Sequence, residues 1–344
     1  MASEESLFAP QLHTHRSVPA MNWIAVAALL PSVFCGAYFF GMNALIIYAA
    51  TLAGAYLAEA GCSLLAGKPF AMLDGSAVIT ALILAMLLPA FCPWYIAALG
   101  SFFAVAAAKW AFGGNGYSII NPAAAGFIFI VAVFPKQVLS NNWAIPLHRL
   151  TDGVSVLEAF SQTLSPDSAT GATPLAVWKT LGPDGLISKG FENYYNLFIG
   201  AVPGSLGGIS TPAILIGFIL LLLCRIVKWE ITLSCLTAFS LTIWTFGGFQ
   251  NHSGLFTGDP FFHLLAGGIL FLACFMAVDP VTTPMNIYGK IIFGILTGVL
   301  TAVFRIWGFQ PEGAVYALAA GNLLTPLIDK VTRYRMYGLN KVWS

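Results

Sequence analysis

The sequence predicts an all-α membrane protein. Of its 344 residues, 58% are hydrophobic and only 8% are charged, and the mean hydropathy is +0.83. Soluble domains carry charge on roughly a quarter of their residues. The chain repeatedly runs about 18 or more residues with hardly a charge, enough to cross a hydrocarbon core of ~30 Å as a helix. Helices follow because backbone amides in lipid must bond within their own segment.

Ten apolar segments are predicted to cross the membrane: 21–41, 43–66, 75–92, 94–112, 121–135, 211–228, 230–248, 262–279, 287–307 and 313–329. The fifth is short and begins with Asn121-Pro122, which predicts a re-entrant or broken helix. The predicted organisation is a tail (1–20), a first five-helix repeat (21–135), a long loop (136–210), a second five-helix repeat (211–329) and a tail (330–344).

The distribution of Lys and Arg predicts the orientation. With a cytoplasmic N-terminus, ten of the 15 basic residues fall on cytoplasmic segments, and four of the other five lie in the loop 136–210. Because long loops count little in the positive-inside rule, the contrast is effectively ten against one. We expect both termini to be cytoplasmic and the loop to be extracytoplasmic. The first apolar run is too long for a cleaved signal peptide.

Composition also argues against two classes of function. The net charge is +1, which gives no electrostatic footprint for nucleic acid. All six cysteines lie inside apolar spans without C-x-x-C spacing, so we interpret them as small buried hydrophobes and predict no metal site.

An internal repeat predicts how the spans are arranged. The segments 67–93 and 258–284 align without a gap at an offset of 191 residues, and each contains the third span of a set of five. The coinciding prolines are Pro69/Pro260, Pro89/Pro280 and Pro93/Pro284. An odd number of spans per copy forces the two copies into opposite orientations, the inverted-repeat plan of many transporters.

Three carboxylates are candidates for an ion pathway. Glu59 lies within the second span, and Asp74 and Asp279 lie at the cytoplasmic rims of the third and eighth spans. A charge in lipid costs at least ~2.5 kcal/mol, so we expect Glu59 to be protonated, paired or in contact with a hydrated cavity. The alternatives are helix capping for Asp74 and a hydrogen-bonded structural role for Glu59. No catalytic residue is predicted.

One polar stretch stands out in this apolar chain: "SPDSATGATPLAVWK", residues 165–179. Thr173 followed by Pro174 is typical of a helix start, and "PLAVWKTL" is predicted to be a short helix. Its N-terminus would favour an anion on the Thr173 hydroxyl, and Gly171 and Ala172 leave no bulk beside that hydroxyl. An ordinary capped helix in a loop is the alternative.

The stretch "DSATGAT" fits the signature D-x-x-[S/T]-G-A-[T/S], which flavin transferases recognise when they attach FMN by a phosphoester. The surrounding chain resembles the family of the Rnf complex D subunit and its relative, the B subunit of the sodium-pumping NADH:quinone reductase. The segments that carry this resemblance are 74–89, "NPAAAGF" (121–127), 170–176, "MAVDPVTTP" (276–284) and 312–329. The short polar tail before the first span favours the Rnf protein. Thr170 stands where many relatives have Ser.

The resemblance implies a function. The chain would be a subunit of an ion-translocating ferredoxin:NAD oxidoreductase complex in the bacterial cytoplasmic (inner) membrane, with FMN covalently bound to Thr173 on the outer side. Asp167, Thr170, Gly171 and Ala172 would form the rest of the flavin attachment motif. Other membrane and peripheral subunits, a flavin transferase and membrane lipid are the implied partners. Some relatives also hold a non-covalent riboflavin, whose contacts no motif identifies.

Two other interpretations remain open at this stage. One is the quinone-reductase protein, which would share the fold and the flavin but use a different electron acceptor. The other is a flavin-free channel for a small neutral solute, which suits inverted five-helix repeats but gives no reason for the flavin motif. The choice between Na⁺ and H⁺ is not determined.

Overall fold

The structure is a computed structural model, and it describes residues 17–67, 74–139, 143–146, 170–188, 193–251, 254–308, 310 and 312–332. The first 16 residues, the residues from 333 onward and most of the loop between 139 and 193 lie outside this set, as does Asp167 of the flavin motif.

Helices dominate the described residues. They are α1 (Val18–Phe40), α2 (Met42–Leu65), α3 (Ser76–Leu87), α4 (Trp94–Ala106), α5 (Pro122–Val133), α6 (Pro135–Leu139), α7 (Pro174–Ser188), α8 (Tyr194–Ile199), α9 (Thr211–Leu223), α10 (Trp229–Phe246), α11 (Pro260–Leu265), α12 (Ile269–Phe271), α13 (Ile287–Trp307) and α14 (Ala314–Thr332). A π-turn, Leu272–Met276, continues α12. The strands β1 (Trp143–Ala144) and β2 (Thr170–Gly171) form one antiparallel pair.

Every predicted span contains helix, and the chain is an all-α membrane protein. Five helical segments are long and apolar enough to cross a membrane, and α3, α5 and α9 are shorter apolar helices. The prediction of a short fifth span is confirmed, because α5 has 12 residues. Its start is set by Asn121, whose side-chain oxygen accepts hydrogen bonds from the N–H groups of Ala123 and Ala124 at 3.1 and 3.4 Å.

The expectation of a continuous eighth span over 262–279 was wrong. The segment is broken into α11, α12 and the π-turn. The break lies at Gly267, whose φ of +82° is a left-handed conformation that ends a right-handed helix. The third span is also shorter than predicted, since α3 ends at Leu87 before the extended Leu88, and Pro89 forms an isolated β-bridge with Ser205.

The two halves of the chain use the same pattern of helix contacts. In the first half α2 packs on α4, and α4 packs on α5; in the second half α10 packs on α13, and α13 packs on α14. Close approach in both depends on glycine, because a Cβ on Gly54 of α2 or on Gly298 of α13 would collide with the backbone of the facing helix. Small residues let helices associate by packing in lipid, where no hydrophobic force drives them together. The halves join through α1 with α9 and through α5 with α14.

A buried non-helical segment, residues 200–210, joins the loop region to α9. Leu206 and Gly207 donate backbone hydrogen bonds at 3.1 and 3.0 Å to the carbonyls of Leu88 and Met86 at the end of α3. Irregular backbone is tolerated in a membrane protein where other protein segments cover it and satisfy its polar groups. Residues 202–205, 208 and 209 of this segment lie next to Thr173.

Candidate functional site

Thr173 caps the N-terminus of α7. Its Oγ1 accepts a hydrogen bond of 3.2 Å from the N–H of Ala176, and its carbonyl accepts one of 3.0 Å from Val177. The helix predicted over "PLAVWKTL" is therefore confirmed; a non-helical Gly182 then kinks α7. Thr173 is 3% exposed. Esterification would replace the hydroxyl hydrogen and leave the oxygen free to accept the same capping bond.

The Thr173 side chain faces a small pocket of about 20 Å³, with room for about one water molecule. Its walls include Gly204 and Ser205 from the buried segment, Gly267 from the break in the eighth span, and Glu312. Only a group as small as part of a phosphate fits this space. An isoalloxazine ring attached here would extend beyond it.

Helix α7 is fixed to the second half of the chain by two side chains. The Lys179 ammonium donates hydrogen bonds to the carbonyls of Gly308 and Arg305, at the C-terminal end of α13, where a cation is favoured. Burial lowers the pKa of Lys179. The Trp178 ring lies edge-on to the His263 ring, with 4.4 Å between the centroids. These contacts hold Thr173 in position.

A buried cation lies beside this pocket. Arg305 is 1% exposed, and its Nη1 donates to the carbonyls of His263 and Ala266 at the end of α11. Its Nε and Nη2 have no hydrogen-bond partner among the described residues. Its guanidinium carbon lies 4.9 Å from the centroid of the Phe239 ring, a cation–π distance. Burial raises the pKa of the Glu312 carboxyl to about 7, and the attraction of Arg305 opposes that rise.

A second polar cluster surrounds Glu59. The Lys109 ammonium lies 2.9 Å from Glu59 Oε2, and the two side chains are 4% and 2% exposed. Trp110 Nε1 donates to the same carboxylate oxygen at 3.0 Å. Lys109 also donates to Ser76 Oγ at 2.7 Å, and Ser76 in turn donates to Asp74 Oδ1 at 2.8 Å. Of the three states expected for Glu59, the structure shows pairing.

This cluster borders a cavity of about 420 Å³ between the two halves of the chain. Ser76, Lys109 and Asn121 lie on the wall from the first half, and Asp279 lies on the wall from the second. Asn121 Nδ2 donates to Asp279 Oδ2 at 3.4 Å across the boundary. We call this space the inter-half cavity. Its volume is in the range of small-molecule sites.

The pocket at Thr173 and the inter-half cavity lie at opposite ends of the same helices. Ser76 at the start of α3 lines the cavity, whereas the residues after its end bond to the buried segment that lines the pocket. Likewise, α9 begins directly after that segment, and its Leu221 lines the cavity. A 12-residue helix is about 18 Å long, so the two regions are separated by about that depth of protein.

The structure places the predicted site residues in two groups. Asp74 accepts hydrogen bonds from the N–H and hydroxyl of Ser76 at the first residue of α3, the capping arrangement expected as its alternative role. Glu59, Asp74 and Asp279 all border or support the inter-half cavity, whereas Gly171, Ala172 and Thr173 lie at the other end, with the Thr170 backbone paired in β2. Asp167 lies outside the described residues.

Sequence reasoning missed Lys109 and Arg305. Both entered only the count of charges that set the orientation, as residues at the ends of spans. Their positions inside apolar stretches were the available signal, since a cation next to lipid-spanning sequence is expensive unless it is paired or functional. Nothing local in the sequence marks Glu59 as the partner of Lys109, 50 residues away.

Comparison with known proteins identifies the family. A model of the NQR2, RnfD, RnfE family matches residues 6–338. The D subunit of the "Ion-translocating oxidoreductase complex" of Stutzerimonas stutzeri is 39% identical over 324 residues, 91% of this chain and 90% of that protein. The D subunit of the "Proton-translocating ferredoxin:NAD(+) oxidoreductase complex" of Clostridium ljungdahlii is 36% identical over 335 residues, 96% of this chain and 95% of that protein.

A third relative is the D subunit of the "Na(+)-translocating ferredoxin:NAD(+) oxidoreductase complex" of Acetobacterium woodii, which is 34% identical over 334 residues, 97% of this chain and 95% of that protein. Near-complete coverage in each comparison agrees with the resemblance that the sequence motifs suggested. The chain belongs to the NQR2, RnfD, RnfE family.

Proposed function

We propose that this chain is the membrane flavoprotein of an ion-translocating ferredoxin:NAD⁺ oxidoreductase complex and carries FMN on Thr173. The observation that carries the flavin assignment is the position of Thr173. It ends "DSATGAT", caps α7 and faces a small pocket with room for part of a phosphate. The relatives' names supply the reaction class. The partners are the other subunits of the complex, a flavin transferase during maturation, and membrane lipid.

When bound, FMN would supply the capacity to accept and pass on electrons. The chain's own residues would hold its phosphate: Thr173 provides the ester oxygen, and the N-terminus of α7 provides a positive dipole end. Lys179 and Trp178 keep α7 in place against the second half. The charge distribution favours this pocket on the outside and the inter-half cavity on the cytoplasmic side, so electrons that reach both regions would serve opposite faces of the membrane.

The flavin assignment is tested by flavin fluorescence that remains attached to the denatured chain. After co-expression with a flavin transferase, the denatured wild-type chain should fluoresce in a gel, and its Thr173 peptide should carry the mass of FMN minus water. Thr173→Ala should lose both signals, whereas Thr173→Ser, which keeps a hydroxyl, should retain them. Undiminished fluorescence in denatured Thr173→Ala would overturn the assignment.

The non-covalent riboflavin that the resemblance implies has a candidate place in the inter-half cavity. Its 420 Å³ is bordered mostly by apolar side chains, with Asn22, Lys109, Asn121 and Asp279 as polar groups that could orient a ring system. Acid precipitation separates the two flavins, because only the covalent one stays with the protein. Thr173→Ala should still release riboflavin into the supernatant.

The ion pathway through Glu59, Asp74 and Asp279 is the third part of the proposal. Because Glu59 is paired with Lys109, the informative variant is Glu59→Gln with Lys109→Gln, which removes both charges together. In the assembled complex it should keep electron transfer to artificial acceptors and lose ion-coupled turnover. Normal ion pumping by this double variant would mean that Glu59 and Lys109 have only a structural role. Relatives of similar identity are named for H⁺ and for Na⁺, so the coupling ion needs direct measurement.

Co-purifying subunits separate this proposal from its alternatives. The quinone-reductase protein would carry the same flavin but assemble with different partners. A small-solute channel would be colourless and show no fluorescent band.

A further inference from the structure

The two buried cations of the described chain differ in their partners. Lys109 has a carboxylate at 2.9 Å. No carboxylate oxygen of the described residues lies within 4.0 Å of the Arg305 nitrogens. Two carbonyls and the Phe239 ring face Arg305, and its Nε and Nη2 remain without hydrogen bonds in that part of the chain. A buried guanidinium in this state is costly unless a further group completes it.

The unbonded Nη2 of Arg305 lies next to Gly267, a residue in the wall of the Thr173 pocket. A Cβ built on Gly267 would lie 3.1 Å from Arg305 Nη2 and 3.1 Å from Leu175 Cδ1. Gly267 lines the pocket, and Leu175 is the second residue of α7. Gly267 therefore lies between the guanidinium of Arg305 and the first turn of α7. A larger residue at 267 would fill the space between them.

Two positive features therefore lie close to one pocket: the N-terminal end of α7 at its wall, and the buried guanidinium directly behind Gly267. Glu312 also lines it, and burial raises the pKa of that carboxyl to about 7, so Glu312 carries only part of a negative charge near neutral pH. The pocket has room only for a small group. A phosphodiester carries one negative charge and has unesterified oxygens that accept charge-assisted hydrogen bonds from a guanidinium.

We infer that Arg305 is the buried counter-charge of the phosphodiester that joins FMN to Thr173. This inference rests on the proposed flavin attachment. Arg305 is a positioning residue: it holds the phosphate, and through the phosphate it fixes where the flavin leaves the pocket. In the flavin-free chain the same guanidinium is an uncompensated charge, so attachment of FMN stabilises the fold.

The test compares thermal unfolding of the purified full-length chain in detergent, produced with and without a flavin transferase. Attachment should raise the unfolding midpoint of the wild type. Arg305→Gln keeps donors for the His263 and Ala266 carbonyls but removes the charge; it should lose most of that gain and be at least as stable as the wild type when flavin-free. Arg305→Lys, which keeps the charge, should retain part of the gain.

Arg225 provides the matched control, because it is an exposed arginine between α9 and α10, on the cavity side. Arg225→Gln should show the full gain. An equal gain in Arg305→Gln and the wild type would overturn the role of Arg305, as would strong destabilisation of flavin-free Arg305→Gln. If Arg305→Gln does not fold, Arg305→Lys decides: a folded, flavinylated Arg305→Lys without any gain would also overturn the inference.

Mass spectrometry separates this outcome from failure of the proposed function. A wild-type Thr173 peptide without FMN would overturn the flavin attachment itself, and the inference with it. A flavinylated peptide with equal gains in all variants would overturn only the role of Arg305.

Discussion

Lys109 and Arg305 are both buried cations, at opposite ends of the helix bundle, and they differ in how their charge is balanced. Lys109 pairs with Glu59 and also bonds Ser76. Arg305 has carbonyl acceptors and an aromatic ring, and two of its nitrogens have no partner among the described residues. The comparison teaches that the chain itself balances the charge of Lys109, whereas Arg305 has no carboxylate partner among the described residues; in our inference an attached phosphate supplies it.

The largest expected effect comes from breaking the complete pair. Lys109→Met leaves Glu59 buried without its cation, and removing one partner of a buried pair costs about 3–5 kcal/mol. We expect this loss in the free energy of unfolding in detergent. Adding Glu59→Gln should recover much of it, because the stranded charge is then gone. Equal stability of the wild type and Lys109→Met would contradict the buried pair.

A pH dependence should appear at the other end, through Glu312. Its pKa in the folded state is raised to about 7 from 4.5. Between these values the folded state keeps a proton that the unfolded state loses, so stability should fall as pH rises from about 4.5 to 7 and then level off. The shift corresponds to at most about 3 kcal/mol; partial exposure reduces this to about 1–2 kcal/mol. Glu312→Gln should flatten the profile, and an unchanged slope in that variant would count against Glu312 as its source.

Substitutions at the neighbouring residues Gly267 and Gly268 test whether the space between Arg305 and α7 must stay free of a side chain; Gly268 is the control. Gly267 has φ +82°, and its Cβ would lie 3.1 Å from Arg305 Nη2, whereas a Cβ on Gly268 meets nothing within 4 Å. Gly267→Ala should cost about 1–2 kcal/mol for the left-handed backbone alone, and it should lower the yield of covalent flavin. Gly268→Ala should change neither quantity. Equal flavin yields and stabilities in both variants would show that the pocket tolerates a side chain at 267.

The smallest effect is expected at Lys179. Its hydrogen bonds to the carbonyls of Arg305 and Gly308 attach α7 to the end of α13, and a cation at a helix C-terminus contributes about 0.3–1 kcal/mol. Lys179→Met should lower the stability by that amount and loosen α7, seen as faster hydrogen exchange in residues 174–181. Lys136→Met, on an exposed residue of α6, is the control. Unchanged hydrogen exchange in Lys179→Met would show that Lys179 does not hold α7 against α13.

Much of the fold was predictable because its signals are local. Apolar runs located the long helices to within a few residues. The pair Thr173-Pro174 marked the start of α7 by its capping chemistry. The predicted eighth span failed for an equally local reason. Hydrophobic content does not distinguish a continuous helix from one that Gly267 interrupts, and the conformation of a glycine depends on what surrounds it.

The sequence by itself determined the membrane class, the family resemblance and the presence of the motif "DSATGAT" that ends at Thr173, since composition and short motifs are properties of adjacent residues. Only the tertiary structure decided which charges meet. Lys109 pairs with Glu59, 50 residues away in the sequence, and Asn121 bonds Asp279, 158 residues away. It also decided that Arg305 is buried beside Gly267 rather than exposed at a helix end. Charge balance in a low-dielectric interior depends on distances of a few ångströms between segments, and helix packing sets those distances.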